Sequence, residues 1–299
     1  MANPEAVRFT SDGLKIVGNL YVPDDAVAGM SFPAIVLCHG FGGLRGFWFP
    51  HFARYFNRFG FVVLAFDHRN TGDSEGAPRL HLDPQGQVAD IRSAVSFLET
   101  RPEVSADRIA LYGISYGGAN AVYAAAIDRR IATMICVVGY GDGERWLRSV
   151  RREWEWIEFR SLLDADHRER ATGAAPKLAD TSEVLIRDPE ALEHEHKARV
   201  NDPDRVTHVT LATGDAIAAF KPETLVDRIA PRPSFFIGVE NDTLVPTAET
   251  ISLFGKALQP KRLHMFPAIG HHSVYYGEHL DALLEMASDW FVKHLGTTE

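Results

Sequence analysis

Cysteine is scarce: Cys38 and Cys136 are the only two in 299 residues, each inside an apolar run. A disulfide-built fold is excluded, and both read as buried free thiols. No apolar run approaches the roughly 18 residues that a membrane-crossing helix needs. The opening residues, MANPEAVRFTSDG, hold no basic stretch followed by an apolar one. No secretory leader is therefore expected, and the expected location is cytoplasmic. Positive charge is short as well, with 31 Lys and Arg against 40 Asp and Glu and a formal charge of −9. Such a chain has no overall field to draw in nucleic acid or an anionic membrane. Its one dense basic run, Arg148, Arg151 and Arg152 ahead of Glu153, Glu155 and Glu158, reads as a solvated helix face.

Cofactor signatures are missing too. There is no G-x-x-x-x-G-K-[ST] loop, and no G-x-G-x-x-G follows the first strands, so no nucleotide cofactor is expected. The nearest approach to a metal motif is His194-Glu195-His196. Histidines two apart do not share a helical face, and Ala198 stands where H-E-x-x-H needs its second histidine. No metal is expected.

What is present is an ordinary globular composition with strands and helices in alternation, which predicts a mostly parallel sheet covered on both faces. Strands are predicted over 5–10 and 14–22 (joined at Asp12-Gly13), 33–38, 61–66, 108–112, 131–138, 234–239 and 262–266. Helices are predicted over 47–59, 84–100, 116–127, 247–258 and 278–295. After Gly139 the pattern changes. Residues 144–163 predict a helix with Leu147, Val150, Trp154 and Ile157 along one face and Trp146, Trp156, Phe159 and Leu163 on others, so that it is expected to be covered on more than one side; three of the five tryptophans fall here. The division expected is a core of residues 1–141 and 219–299 with a helical cap inserted at 142–218.

The chemistry concentrates in three places. Gly113-Ile114-Ser115-Tyr116-Gly117 lies between a strand and a helix, the setting in which G-x-S-x-G turns a serine hydroxyl outward. His39-Gly40-Phe41-Gly42-Gly43 follows strand 33–38 and can lend a backbone N–H to a developing oxyanion; the candidate donors are the N–H groups of Phe41 and Tyr116. With both motifs in place the chain resembles the α/β-hydrolase superfamily. The resemblance extends to Asp67-His68-Arg69-Asn70-Thr71-Gly72-Asp73-Ser74, which looks like the family's D-x-R-G-x-G-x-S loop but for Asn70-Thr71. The Ser-Tyr-Gly-Gly form also resembles the X-Pro peptidase and dienelactone-hydrolase branches.

The resemblance implies an eight-stranded sheet and a triad in the order serine, acid, histidine. Asp242, in the loop after strand 234–239, fits the acid, with Glu240 as the alternative. His271, after strand 262–266, fits the base, with His272 as the alternative. The expected activity is acyl transfer to water from an ester, thioester, lactone or amide, with no cofactor. An acyltransferase or C–C hydrolase would use the same residues, and a non-catalytic small-molecule receptor could share the fold. Trp146, Trp154 and Trp156 are candidates for the lining of an enclosed pocket for a small-molecule acyl substrate, with packing of the cap onto the core as their alternative reading. A homodimer is compatible with this reading, though nothing in the sequence specifies an interface.

Overall fold

The structure, a computed structural model, describes residues 3–24, 26–27, 29–193 and 205–296. Eight strands form one sheet in the order β1-β2-β4-β3-β5-β6-β9-β10. These are β1 (Glu5–Ser11), β2 (Leu14–Tyr21), β3 (Phe32–Cys38), β4 (Val62–Phe66), β5 (Val104–Ile114), β6 (Ile131–Val137), β9 (Ser234–Val239) and β10 (Lys261–Phe266). β1 and β2 form an antiparallel hairpin and β2 meets β4 antiparallel, while every pairing from β4 to β10 is parallel.

The central strands are apolar throughout because both faces are covered. In β3, Ala34, Val36 and Cys38 enter one core and Ile35 and Leu37 the other. The alternation follows from the two-residue period of a strand. Helices α2 (Pro84–Glu99) and α3 (Tyr116–Ile127) cover the first face. Helices α1 (Phe49–Asn57) and α10 (Gly277–Leu295) cover the second, where Phe56, Tyr112 and Phe291 pack edge to face with one another and Phe52 lies tilted against Tyr112. Proline at the start of α2, with Asp83 accepting hydrogen bonds from Gln85 N and Gly86 N, sets that helix's first turn.

Between β6 and β9 the chain leaves the sheet. The excursion carries α4 (Gly143–Ser149), α5 (Glu153–Ala171), a small antiparallel pair β7 (Leu178–Asp180) and β8 (His208–Thr210), α6 (Thr181–Val184), helical residues 189–193 (α7) and α8 (Ala212–Ala219). Helix α9 (Ala248–Lys256) follows β9. The helix predicted over 144–163 is two helices. Arg152 adopts an extended backbone (φ −70°, ψ 157°), and Glu155 accepts its N–H at 2.7 Å, so a new helix starts there. The interruption resets the phase of the buried stripe to Trp156, Phe159 and Leu163, leaving Trp154 and Ile157 55% and 58% exposed. Nor is Arg151 a solvated charge. It donates to the carbonyls of Leu147, Glu183 and Val184 and lies 3.9 Å from the Phe159 ring centroid, and burial pushes its pKa down to about 10.

Because β3, β5, β6, β9 and β10 run parallel, their carboxyl ends share one edge of the sheet. The loops bearing His39, Ser115, Val138, Asp242 and His271 all emerge there, where open α/β sheets bind ligands.

Candidate active site

Ser115 sits between β5 and α3 with φ 52° and ψ −120°, a backbone conformation that L-residues rarely adopt. Holding a side chain there costs about 1–3 kcal/mol. The surroundings enforce it: Ser115 N donates to Val137 O at 2.8 Å, and Ser115 O accepts from Gly118 N at 2.9 Å. The flanking glycines are steric requirements. A Cβ on Gly113 would lie 2.4 Å from Gly117 O, and one on Gly117 would lie 2.2 Å from Cys38 O.

The elbow brings three distant residues into one chain of contacts. Ser115 Oγ is 3.0 Å from His271 Nε2, and His271 Nδ1 is 2.7 Å from Asp242 Oδ2. A carboxylate only accepts, so Nδ1 carries the proton and Nε2 is left to accept from the serine hydroxyl. Asp242 Oδ1 accepts from Leu244 N at 3.1 Å and Val245 N at 2.7 Å, which fixes the carboxylate's orientation. Asp242 and His271 are buried, whereas Ser115 is partly open.

The two alternatives are placed elsewhere. Glu240 is exposed and accepts from Ala268 N at 3.1 Å. His272 lines the cavity in front of Ser115, its ring centroid 5.0 Å from that of His271.

The His39–Gly43 loop lies beside the serine, with a Cβ built on Gly40 falling 3.6 Å from Ser115 Cβ. Tyr116 opens α3, so its N–H has no partner within the helix. Phe41 N makes no backbone hydrogen bond among the described residues. Beneath this loop His39 is buried against His68, ring centroids 4.8 Å apart. Burial, reinforced by His68, pushes the His39 pKa down to about 3, and the neutral ring bonds Gly40 O at 3.0 Å.

The loop after β4 braces the arrangement: Asp67 accepts from Arg45 N, the Arg45 guanidinium and Asp73 N. Asn70, the departure from the expected loop pattern, takes φ 69° and donates to His81 O at 2.9 Å. Asparagine tolerates that left-handed conformation better than most residues.

The cavity at Ser115 is walled by Phe41, Leu44, Trp48, Leu185, Leu244 and Tyr275, with Arg187, Ala191 and Arg205 also bordering it. None of the three candidate tryptophans is among its lining residues. Trp146 is fully buried against Tyr140, and Trp156 packs near Phe159. Trp154 is exposed. The tryptophan that does line the cavity is Trp48, 4.8 Å from the Tyr275 ring, in the Phe47-Trp48-Phe49 cluster whose sequence predicts only a helix. His194, Glu195 and His196 lie outside the described residues.

Residues 33–278 match the family model of the alpha/beta hydrolase fold. The chain belongs to the α/β-hydrolase family. It is an enzyme of the hydrolase class. Thiohydrolase aneE of Aspergillus aculeatus is 28% identical over 293 residues, 94% of this chain and 90% of its own length. Polyketide transferase grgF of a Penicillium species is 26% identical over 299 residues, covering 97% of this chain and 96% of its own. The crystal structure of α/β hydrolase GrgF superposes with a TM-score of 0.83 at 23% identity, covering 98% and 99% of the two chains, which is a likeness of fold. Among the described residues no helix is long and apolar enough to cross a membrane.

Proposed function

We propose that this α/β-hydrolase cleaves an acyl thioester or ester through a covalent intermediate on Ser115. The supporting observation is the Ser115–His271–Asp242 chain of contacts at 3.0 and 2.7 Å. As Ser115 Oγ attacks the carbonyl, its proton passes to His271 Nε2. Asp242 keeps the imidazole in the accepting tautomer and stabilises the imidazolium. The N–H groups of Phe41 and Tyr116 receive the oxyanion, and the start of α3 adds a favourable dipole. Collapse of the adduct breaks the bond to the leaving thiol or alcohol, which takes the proton from His271. Water then loses a proton to His271 and attacks the acyl-enzyme, releasing a carboxylic acid and the free serine.

The thioester preference draws on the relatives named as a thiohydrolase and a polyketide transferase. The apolar and aromatic walls suit an apolar or aromatic acyl group. Residues 142–218 act as a cap, since Leu185, Arg187, Ala191 and Arg205 from that stretch border the cavity. The transferase relatives make an alcohol or amine the alternative acceptor for the same acyl-enzyme.

A fluorophosphonate probe followed by mass spectrometry tests the nucleophile. One adduct on Ser115, absent from Ser115→Ala, is expected; a folded wild-type protein that takes no adduct overturns the reading. Acyl thioesters offered with competing alcohols and amines then separate hydrolysis from transfer by their products.

A further inference from the structure

The loops carrying Asp242 and His271 are both fastened to one short stretch of the excursion. Glu190 reaches the histidine loop, where its Oε1 accepts from Ser273 N at 2.8 Å and from Ser273 Oγ at 2.6 Å. Its other oxygen lies against Gly270, where a Cβ would fall only 2.0 Å from Oε2. His271 thus lies between Gly270 and Ser273, both of which Glu190 reaches. Asp188 does the same for the acid loop. Its Oδ1 accepts from Ala191 N at 2.7 Å, capping α7, while its Oδ2 accepts from the hydroxyl of Thr243, the neighbour of Asp242. Leu185, Arg187 and Ala191 of the same stretch border the cavity at Ser115.

We propose that Glu190 is a positioning residue, and that with Asp188 it makes 185–191 a strut holding the His271 and Asp242 loops in register. This role rests on the reading of Ser115, His271 and Asp242 given above. The physical reason is leverage. His271 comes from a loop of turns rather than a strand, so its ring position depends on how that loop is tied down. Two charge-assisted hydrogen bonds donated by Ser273 to one carboxylate supply the tie, and the lack of a side chain on Gly270 leaves room for that carboxylate. The wall that meets the acyl group and the brace that aligns the proton relay are one piece of chain.

The test compares wild type, Glu190→Ala, Glu190→Gln and Ser273→Ala in two measurements: the labelling rate of Ser115 by a fluorophosphonate, and the low-field proton resonance of His271 Nδ1–H. Wild type must label at Ser115, and if it does not, the proposed function fails before the strut is tested. With labelling established, Glu190→Ala should label roughly 10- to 100-fold more slowly, the scale of a reacting group displaced by about an ångström, and its low-field resonance should broaden or vanish. Glu190→Gln keeps a carbonyl acceptor for Ser273 and should restore both. Ser273→Ala keeps the backbone bond, should fold normally and should fall between. A folded Glu190→Ala with wild-type labelling and an unchanged resonance overturns the proposal. If Glu190→Ala does not fold, wild-type behaviour of Ser273→Ala overturns it.

Discussion

The indole Nε1–H of Trp146 donates to the carbonyl of Leu244 at 2.8 Å, two residues beyond Asp242. The ring stacks on Tyr140, centroids 4.4 Å apart, and is wholly buried. Of the two readings open for Trp146, substrate contact and packing, the structure places it in packing, as a prop under the loop that carries Asp242. Trp146→Phe keeps most of the stack but leaves a buried carbonyl without its donor. The expected loss is about 1–3 kcal/mol of stability, read as a lower urea midpoint. Because the indole does not touch the cavity, KM for acyl substrates should stay near the wild-type value.

The proposed acid and its alternative are near neighbours in different surroundings. Asp242 lies 2.7 Å from His271 Nδ1, whereas exposed Glu240 holds Ala268 N. Asp242→Asn places an amide beside Nδ1 and favours the tautomer that cannot accept from Ser115. A fall in kcat of about 10³- to 10⁴-fold is expected, with Glu240→Gln within a few-fold of wild type. The reverse ranking in steady-state kinetics would reassign the acid.

The glycines make opposite predictions according to what surrounds them. At Gly117 a methyl group would sit 2.2 Å from Cys38 O and 2.4 Å from His39 O, both backbone atoms that cannot yield cheaply. Gly117→Ala should therefore misfold or lose labelling of Ser115. At Gly255, near the end of α9, a Cβ meets nothing within 4 Å. Gly255→Ala should raise stability by about 0.5–1 kcal/mol through lower unfolded-state entropy, measured by denaturant titration.

These cases show what the chain makes legible. The sheet could be read because both-faces-buried strands such as Phe32–Cys38 are apolar runs, and the G-x-S-x-G and His39–Gly43 loops could be found because tight backbone approaches demand glycine at fixed spacing. The excursion was harder. The break at Arg152 depends on a local cap that shifts the helical phase, so Trp154 looked like part of a buried stripe and is exposed. Trp48, Leu185 and Tyr275 meet at the cavity from separate parts of the chain, and no local pattern marks such a meeting. Glu190 carries no motif at all, and its partner Ser273 is 83 positions away.

The last prediction concerns acid stability. Glu223, in the turn at 222–224, is buried, which by itself would raise its pKa. Hydrogen bonds from Arg145, Lys256 and Ser252 overcome that and hold the carboxyl down at about 2. Arg145 also bonds Glu249, whose Oε2 accepts from Gly141 N and Asp142 N. The cluster therefore ties α4 to α9 where the excursion leaves the sheet. A depressed folded-state value means that the unfolded chain takes up the proton first as pH falls. The stabilisation from Glu223 is fully present above its ordinary value of 4.5 and is lost progressively between there and about 2. Glu223→Gln cannot titrate. It should be less stable than wild type at neutral pH, because Arg145 and Lys256 lose a charged partner, and its urea midpoint should fall less steeply below pH 4.5. Parallel curves for the two proteins down to pH 2.5 would show that Glu223 does not contribute to the acid limb.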